Sequence, residues 1–475
     1  MRVRIHRGAR EIGGSAVELE CAGNRLVLDV GRALGADCID EEQLPKVSGL
    51  RRADNPQLLG IIVSHGHADR AGLLPLVHPG VPIYLGEATA RVLSEALFFT
   101  GQGAHVTPAG FLEDRRPFTL GLFRITPYLA DHSAFDAYSL LIEAGGRSLF
   151  YSGDLRAHGR KPSLFKRLLK EAPATDVILL EGTRIGEQRT DERGLPSERA
   201  VEEQAVELFR KTEGIVLACY SPQNIDRLVS FFKAAKRSDR LFVLDLYGAS
   251  IVRATERLKI PQATWSEVRV FVPQAQRRRV MQSGAFERTE TVRSSRLFPE
   301  QLAALSSRLV FSFRGSMRSE LERAVCLTGA HLFWGLWPGY LERPDGLRLR
   351  QWARRRWLDG TTLSEEDHLN GSACGYASWR RTRSRCLPSL SDDAQARAFA
   401  AALQAIRIRP PAATSRRVRL DRSERPAASG RCVARRLLAC RGSDDCSFAR
   451  RVPCRRRSTV RCSRLDPLRE GGCGG

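Results

Sequence analysis

The sequence predicts an α/β protein. Two observations carry that expectation. Short apolar runs of strand length recur through residues 1–352, and several of them stop at histidine or aspartate. Stretches with apolar residues at helical spacing separate these runs, so strands and helices alternate along the chain.

The elements follow in order. Leu58-Leu59-Gly60-Ile61-Ile62-Val63 reads as a buried strand, and Ser64-His65-Gly66-His67-Ala68-Asp69-Arg70-Ala71-Gly72 follows it directly. Pro75 to Pro79 closes a short helix, and Glu87 to Thr100 has helical spacing of Ala, Val, Leu and Phe. Phe123–Leu129 is strand-like and leads into Ala130-Asp131-His132-Ser133. Ser148-Leu149-Phe150-Tyr151 is a further strand ending in Ser152-Gly153-Asp154, and Lys161 to Glu171 is amphipathic. Ser197 is placed to cap a helix that runs to about Thr212. Ile215–Tyr220, Leu241–Leu246 and Val268–Val272 are short apolar strands separated by helical stretches such as Asn224–Lys236, the pattern of a parallel α/β unit. Arg318–Leu327 reads as a helix and Ala330–Trp337 as a strand.

The chemistry concentrates after the strand at 58–63. His65, His67 and Asp69 stand at alternate positions. In extended backbone, residues i and i+2 share a face, about 6.5–7 Å apart. A lone His-x-His is ordinary on a solvated loop. Two imidazoles and a carboxylate at alternate positions beyond a strand end instead suit a borderline metal such as zinc.

These residues resemble the His-x-His-x-Asp-His signature of the metallo-β-lactamase superfamily, with Arg70 in the place of the last histidine. His132 stands where that superfamily supplies its next metal histidine, and Gly153-Asp154 matches its bridging aspartate. Gly13–Leu19 and Arg25–Gly31 resemble the fold's first strands. Leu179-Leu180-Glu181-Gly182-Thr183, the segment Ala218–Arg227 and the segment Val310–Ser316 are similar to motifs of the β-CASP subgroup, close to ribonuclease J-like proteins. The resemblance covers roughly residues 1–352.

It implies a metallo-β-lactamase αββα sandwich over 1–198 and an inserted α/β β-CASP-like domain over 199–352. It implies zinc-dependent hydrolysis of phosphodiesters, with RNA or DNA as partner. His65, His67, His132 and Asp154 would hold the first ion. Of the second ion's ligands only Asp69 and Asp154 are present. Arg70 cannot ligate, because a guanidinium stays protonated and offers no lone pair. One zinc is therefore expected, with a defective second site. Asp69 and Asp154 are the expected catalytic residues, and Arg70, His158 and Glu181 are accessory candidates. Two alternatives stand beside this reading: a single-metal hydrolase of another ester or thioester, and a non-catalytic nucleic-acid-binding protein.

Composition bounds the rest. The 475-residue chain carries a net charge of +23. Residues 353–475 hold 27 arginines, no lysine and 12 acidic residues, a net charge of +15 that leaves +8 for residues 1–352. Eight of the 12 cysteines lie in the same tail; Cys21, Cys38, Cys219 and Cys326 do not, and read as reduced core thiols. The tail has no sustained apolar period, no convincing Cys-x₂₋₄-Cys knuckle, and a single histidine, His368. It reads as an aberrant, unfolded extension: GC-rich DNA translated out of frame gives Arg, Ala, Pro, Gly, Ser and Cys with almost no Lys. An Arg-rich nucleic-acid-binding extension or a cysteine-based metal module are the competing readings. The N-terminus lacks an apolar signal-peptide core and no apolar run approaches the ~20 residues of a membrane span, so the expected setting is the cytoplasm.

Overall fold

The structure, a computed structural model, describes residues 1–9, 13–33, 39–171, 174–181, 197–336, 338–356 and 420–421. Three sheets organise them.

The first sheet contains β1 (Arg2–Arg7), β2 (Ala16–Cys21), β3 (Asn24–Leu28), β4 (Leu58–Ile62), β5 (Ile83–Leu85) and β6 (Gly110–Phe111) in that spatial order. It starts antiparallel and continues parallel from β3 onward. The second sheet contains β7 (Phe118–Leu120), β8 (Phe123–Leu129), β9 (Tyr138–Ala144), β10 (Arg147–Tyr151) and β11 (Val177–Leu179). It is antiparallel except for the last pair.

The period of two in the sequence decides how these sheets pack. Leu26 and Leu28 of β3 and Ile62 of β4 meet Leu140 and Ile142 of β9 and Leu149 and Tyr151 of β10 in one buried core between the sheets. The intervening Val27 and Ile61 turn to the other face, where Leu73, Leu74, Val77 and Leu93 cover them. Leu141 and Phe150 turn outward from the second sheet and pack on Leu168. Leu93 lies on the helix Glu87–Thr100 and Leu168 on the helix Pro162–Glu171. Helices thus cover both outer faces of two stacked sheets, the αββα sandwich expected above.

The third sheet holds β12 (Val216–Cys219), β13 (Leu241–Asp245), β14 (Val268–Phe271), β15 (Arg296–Leu297), β16 (Leu309–Ser312) and β17 (His331–Trp334). Its order is β15-β14-β13-β16-β12-β17, and every pair is parallel. Val216 and Ala218 enter one core, and Ile215, Leu217 and Cys219 enter the opposite one, so both faces are buried. Val92 and Ala96 of the helix Glu87–Thr100 join the first of these cores, which packs the sandwich against the third sheet.

Ser197 caps the helix Glu198–Lys211, its side chain accepting from Ala200 N. Asn224 caps the helix Ile225–Arg237 by accepting from Arg227 N. Three expectations change. The strand at 241 ends at Asp245, because that side chain caps a helix over Leu246–Ala254 by accepting from Gly248 N. The helix from Arg318 stops at Arg323, followed by Val325 at positive φ. The change of character placed near residue 352 falls inside a helix over Pro344–Arg356, which Leu349 and Ala353 anchor in the core.

Beyond that helix, Leu420–Asp421 form β18, parallel to β1 with Val3 opposite Leu420. The expectations for 357–419 and 422–475, for Cys38 and for Gly182–Thr183 concern residues outside the described ones.

Candidate metal centre

The expected site residues come from one end of the sandwich. His65 follows β4, His132 follows β8 and Asp154 follows β10. β8 and β10 are both antiparallel to β9, so their C-terminal ends lie on the same side. Tyr138 N donates to Ser64 O at 2.9 Å and ties the start of β9 to the residue before His65. Gly153 makes the approach of Asp154 possible. Its φ is +57°, and a Cβ there would stand 2.6 Å from Tyr138 O. Gly153→Ala should therefore cost about 2 kcal/mol or more from the left-handed backbone and the clash together. A urea midpoint corresponding to less than about 0.5 kcal/mol of loss would contradict this.

The three histidines converge. Their ring centroids are 4.9 Å (His65–His67), 4.6 Å (His65–His132) and 5.0 Å (His67–His132) apart. His67 Nδ1 lies 3.2 Å from His132 Nε2. Asp154 Oδ2 stands 3.6 Å from His65 Nε2 and 4.0 Å from His132 Nε2. His65 Nε2 and Asp154 Oδ2 are buried with no hydrogen-bond partner among the described residues. Burial, then the neighbouring imidazole and guanidinium charges, hold His65 and His132 well below the ordinary histidine range; burial also lowers His67. The rings are thus neutral, and a neutral imidazole offers one nitrogen lone pair to a cation. Tetrahedral ligands at ~2.0–2.1 Å from an ion sit roughly 3.3 Å from one another. The separations of 3.2, 3.6 and 4.0 Å are near that value, and two of the atoms concerned, His65 Nε2 and Asp154 Oδ2, are the unpartnered ones. The three histidines form one group that could hold a divalent ion, and Asp154 stands against two of them.

Asp69 is brought to the same place. Ligand atoms of His65, Asp69 and Asp154 lie within 4.8 Å of one another. Asp69 belongs to the short helix Ala68–Ala71, which docks on the sheet because Gly31 leaves room for Asp69 O, 1.7 Å from where a Cβ would be. Arg70 follows in that helix and is fully buried. Its guanidinium pairs with Asp154 Oδ1, stands 3.3 Å from Asp69 Oδ2 through Nε and 3.8 Å from Asp29 Oδ2, and donates to Ser15 Oγ at 2.7 Å. Arg70 thus stands against both Asp69 and Asp154.

The two other accessory candidates are absent from the ligand groups among the described residues. His158 presents its carbonyl to Glu198 N at 3.0 Å, at the start of the helix Glu198–Lys211. Glu181 N donates to Ser152 Oγ at 2.9 Å.

Sequence reasoning missed two supporting sets. Asp29 accepts from Ser64 N (2.7 Å), Ser64 Oγ (2.9 Å) and Tyr151 Oη (2.6 Å). Burial pushes the Asp29 carboxyl up to about 6, against the pull of Arg70 and these hydrogen bonds. The second set is ionic. Arg156 is buried, pairs with Asp226, and stands 3.5 Å from Glu198 Oε1. Lys161 Nζ lies 3.3 Å from Asp226 Oδ1 and donates to His132 O at 3.0 Å. A hint was available for the first set, since Asp29 and Ser64 are polar residues directly after apolar strands; nothing comparable marked Asp226. A small cavity beside His67 is lined by Thr89, Val92 and Phe135 of the sandwich, by Gln223 just before the helix Ile225–Arg237, and by Ile251 of the helix Leu246–Ala254.

The family described as the beta-lactamase superfamily domain matches residues 34–217. The chain is a metallo-β-lactamase-fold protein similar to ribonuclease J. It is 25% identical over 272 residues to ribonuclease J of Mycobacterium tuberculosis, covering 53% of this chain and 45% of that protein. It is 28% identical over 285 residues to ribonuclease TTHA0252 of Thermus thermophilus, covering 55% and 59%. The chain thus spans about half the length of these curated relatives. Among solved structures, a protein of unknown function from Enterococcus faecalis V583 shares the fold at TM-score 0.55 and 19% identity, over 70% of this chain and 87% of that one. Among the described residues, no helix of this ribonuclease J-like chain is long and apolar enough to cross a membrane.

Proposed function

We propose that this chain hydrolyses phosphodiester bonds in RNA and uses zinc held by His65, His67, His132 and Asp154. The observation that carries the reading is the convergence of three neutral imidazoles, two of which face an Asp154 Oδ2 that has no hydrogen-bond partner among the described residues. The names of the ribonuclease relatives favour RNA over DNA. A divalent ion supplies positive charge that acidifies water and polarises a phosphoryl oxygen.

The chain's own residues do the rest. Asp69 is partly exposed and stands with His65 and Asp154, so it orients the attacking water and accepts its proton. Asp154 faces His65 and His132 and holds these two in register. The third sheet and its helices, taken as the β-CASP-like insert over 199–352, wall the cavity opposite the 1–198 sandwich with Gln223 and Ile251, which supports a substrate held between the two. Cys21, Cys219 and Cys326 are free thiols, in keeping with a reducing, cytoplasmic setting.

The test is a substrate panel with the purified chain: a labelled oligoribonucleotide, the matching DNA, and simple ester and thioester substrates, each with and without chelator. RNA cleavage lost on chelation, and reduced at least about 100-fold in His132→Ala, is the expected result. Ester or thioester turnover without RNA cleavage would establish the other hydrolase, and RNA retention without cleavage a binding protein.

A further inference from the structure

We infer that Arg70 is a resident cation standing in for the second metal ion, so that the centre works with one ion and a fixed guanidinium sharing Asp154. This rests on the metal reading just proposed, and it concerns what lies on the other side of Asp154.

The two carboxylate oxygens of Asp154 face different charges. Oδ2 faces His65 and His132, at 3.6 and 4.0 Å, and is otherwise unpartnered. Oδ1 is taken by the Arg70 guanidinium. In a two-ion centre the second oxygen of a bridging carboxylate, together with a neighbouring carboxylate, serves the second ion. Here both features are already engaged: Arg70 Nη2 is on Asp154 and Nε is 3.3 Å from Asp69 Oδ2.

The guanidinium is also built in. Arg70 has no solvent exposure, donates to Ser15 Oγ at 2.7 Å, and lies 3.4 Å from Tyr151 Oη. Asp29 completes the pocket at 3.8 Å from Nη1, and is itself fixed by Ser64 and Tyr151. Leaving this pocket would strand three carboxylates and bury no compensating charge. The formal charges agree with one ion: three carboxylates, one guanidinium and one divalent cation sum to zero, whereas a second divalent cation would leave a net positive charge in a buried site. The residues present do not fit a second ion. Arg70 acts through Asp69 and Asp154, whose carboxylates it orients, and is a positioning residue.

The experiment counts ions. The purified full-length chain, Arg70→Lys, Arg70→His and Arg70→Ala are equilibrated with excess Zn²⁺, freed of unbound metal and measured by elemental analysis; Mn²⁺-loaded samples are examined by electron paramagnetic resonance. One ion per chain and an uncoupled Mn²⁺ spectrum are expected for the wild type and Arg70→Lys. A second equivalent, with spin-coupled Mn²⁺ and a second step of thermal stabilisation, is expected for Arg70→His or Arg70→Ala. Two ions in the wild type, or one ion in Arg70→His and Arg70→Ala where these fold, would overturn the inference. Should Arg70→His and Arg70→Ala not fold, Arg70→Lys decides: one ion supports a cation replacing a metal, and two refute it. No ion in the wild type would instead remove the three-histidine reading itself, which separates the two failures.

Discussion

Asp226→Asn is expected to cost about 3–5 kcal/mol of stability and to weaken metal affinity by roughly 10–100-fold. Asp226 lies in the first turn of the helix Ile225–Arg237, on the third sheet, yet its contacts are with the loop that follows Asp154. It pairs with Arg156, accepts from Arg160 N at 3.2 Å, and stands 3.3 Å from Lys161 Nζ. Lys161 in turn donates to the carbonyl of His132, and Arg156 N donates to Asp131 O at 2.8 Å. One buried carboxylate therefore ties together the segments carrying His132 and Asp154. Removing its charge leaves Arg156 with Glu198 at 3.5 Å and Asp131 at 4.0 Å as its remaining ion-pair partners among the described residues. Denaturant unfolding of the metal-free protein and competition with a chromophoric chelator measure the two effects. Glu202→Gln is the control. Glu202 pairs with Arg160 and Arg237 beside the tether, so its loss should lower stability without moving metal affinity. Wild-type metal affinity in Asp226→Asn would show that the tether does not reach the centre.

The contrast between Asp226 and His65 shows what the sequence could reveal. His65, His67 and Asp69 were legible because they stand at alternate positions directly after an apolar strand, although the chain turns into a helix at Ala68 and it is that helix which carries Asp69. His132 and Asp154 were legible because each follows an apolar strand, and family order supplied their partners. The sandwich was legible for the same reason: Leu26, Val27 and Leu28 alternate between two cores, and the alternation is written in the chain. The charge pairs were not. Arg70 meets Asp154 across 84 residues, and Arg156 meets Asp226 across 70. Nothing local in either segment specifies the other, since any buried arginine needs some carboxylate and the fold decides which. The helix at Leu246 was hidden for a different reason. Leu246 and Tyr247 continue an apolar run, and only the capping geometry of Asp245 turns the chain into a helix.

Acid should reveal the strength of the same ionic set through Glu198. Burial by itself would raise this carboxyl, but the charges of Arg227 and Arg156 and hydrogen bonds from Arg227 and Ser230 outweigh it and hold it at about 2, against an ordinary value of 4.5. The contacts explain why: Arg227 donates from both Nε and Nη2, at 3.2 and 3.1 Å, and Ser230 Oγ donates at 2.7 Å. Glu198 also opens the helix Glu198–Lys211, where the helix dipole favours a negative charge. A depressed folded-state pKa means the unfolded chain takes up the proton first as pH falls. The stabilisation is therefore fully present above about pH 4.5 and disappears as pH drops through about 2, a loss of about 3 kcal/mol. Glu198→Gln cannot titrate, so this component vanishes from its acid limb. Unfolding free energies of metal-free wild type and Glu198→Gln, measured from pH 6 to pH 2, should converge by about 3 kcal/mol over that range. Metal-free protein is required because histidine protonation would otherwise release the ion in the same interval. Glu18, also held at about 2 by His6 and Arg25, titrates identically in both proteins and cancels in the difference. Two parallel curves would show that Glu198 does not hold its charge against Arg227 and Arg156, and that the joint between the sandwich and the third sheet is stabilised by packing alone.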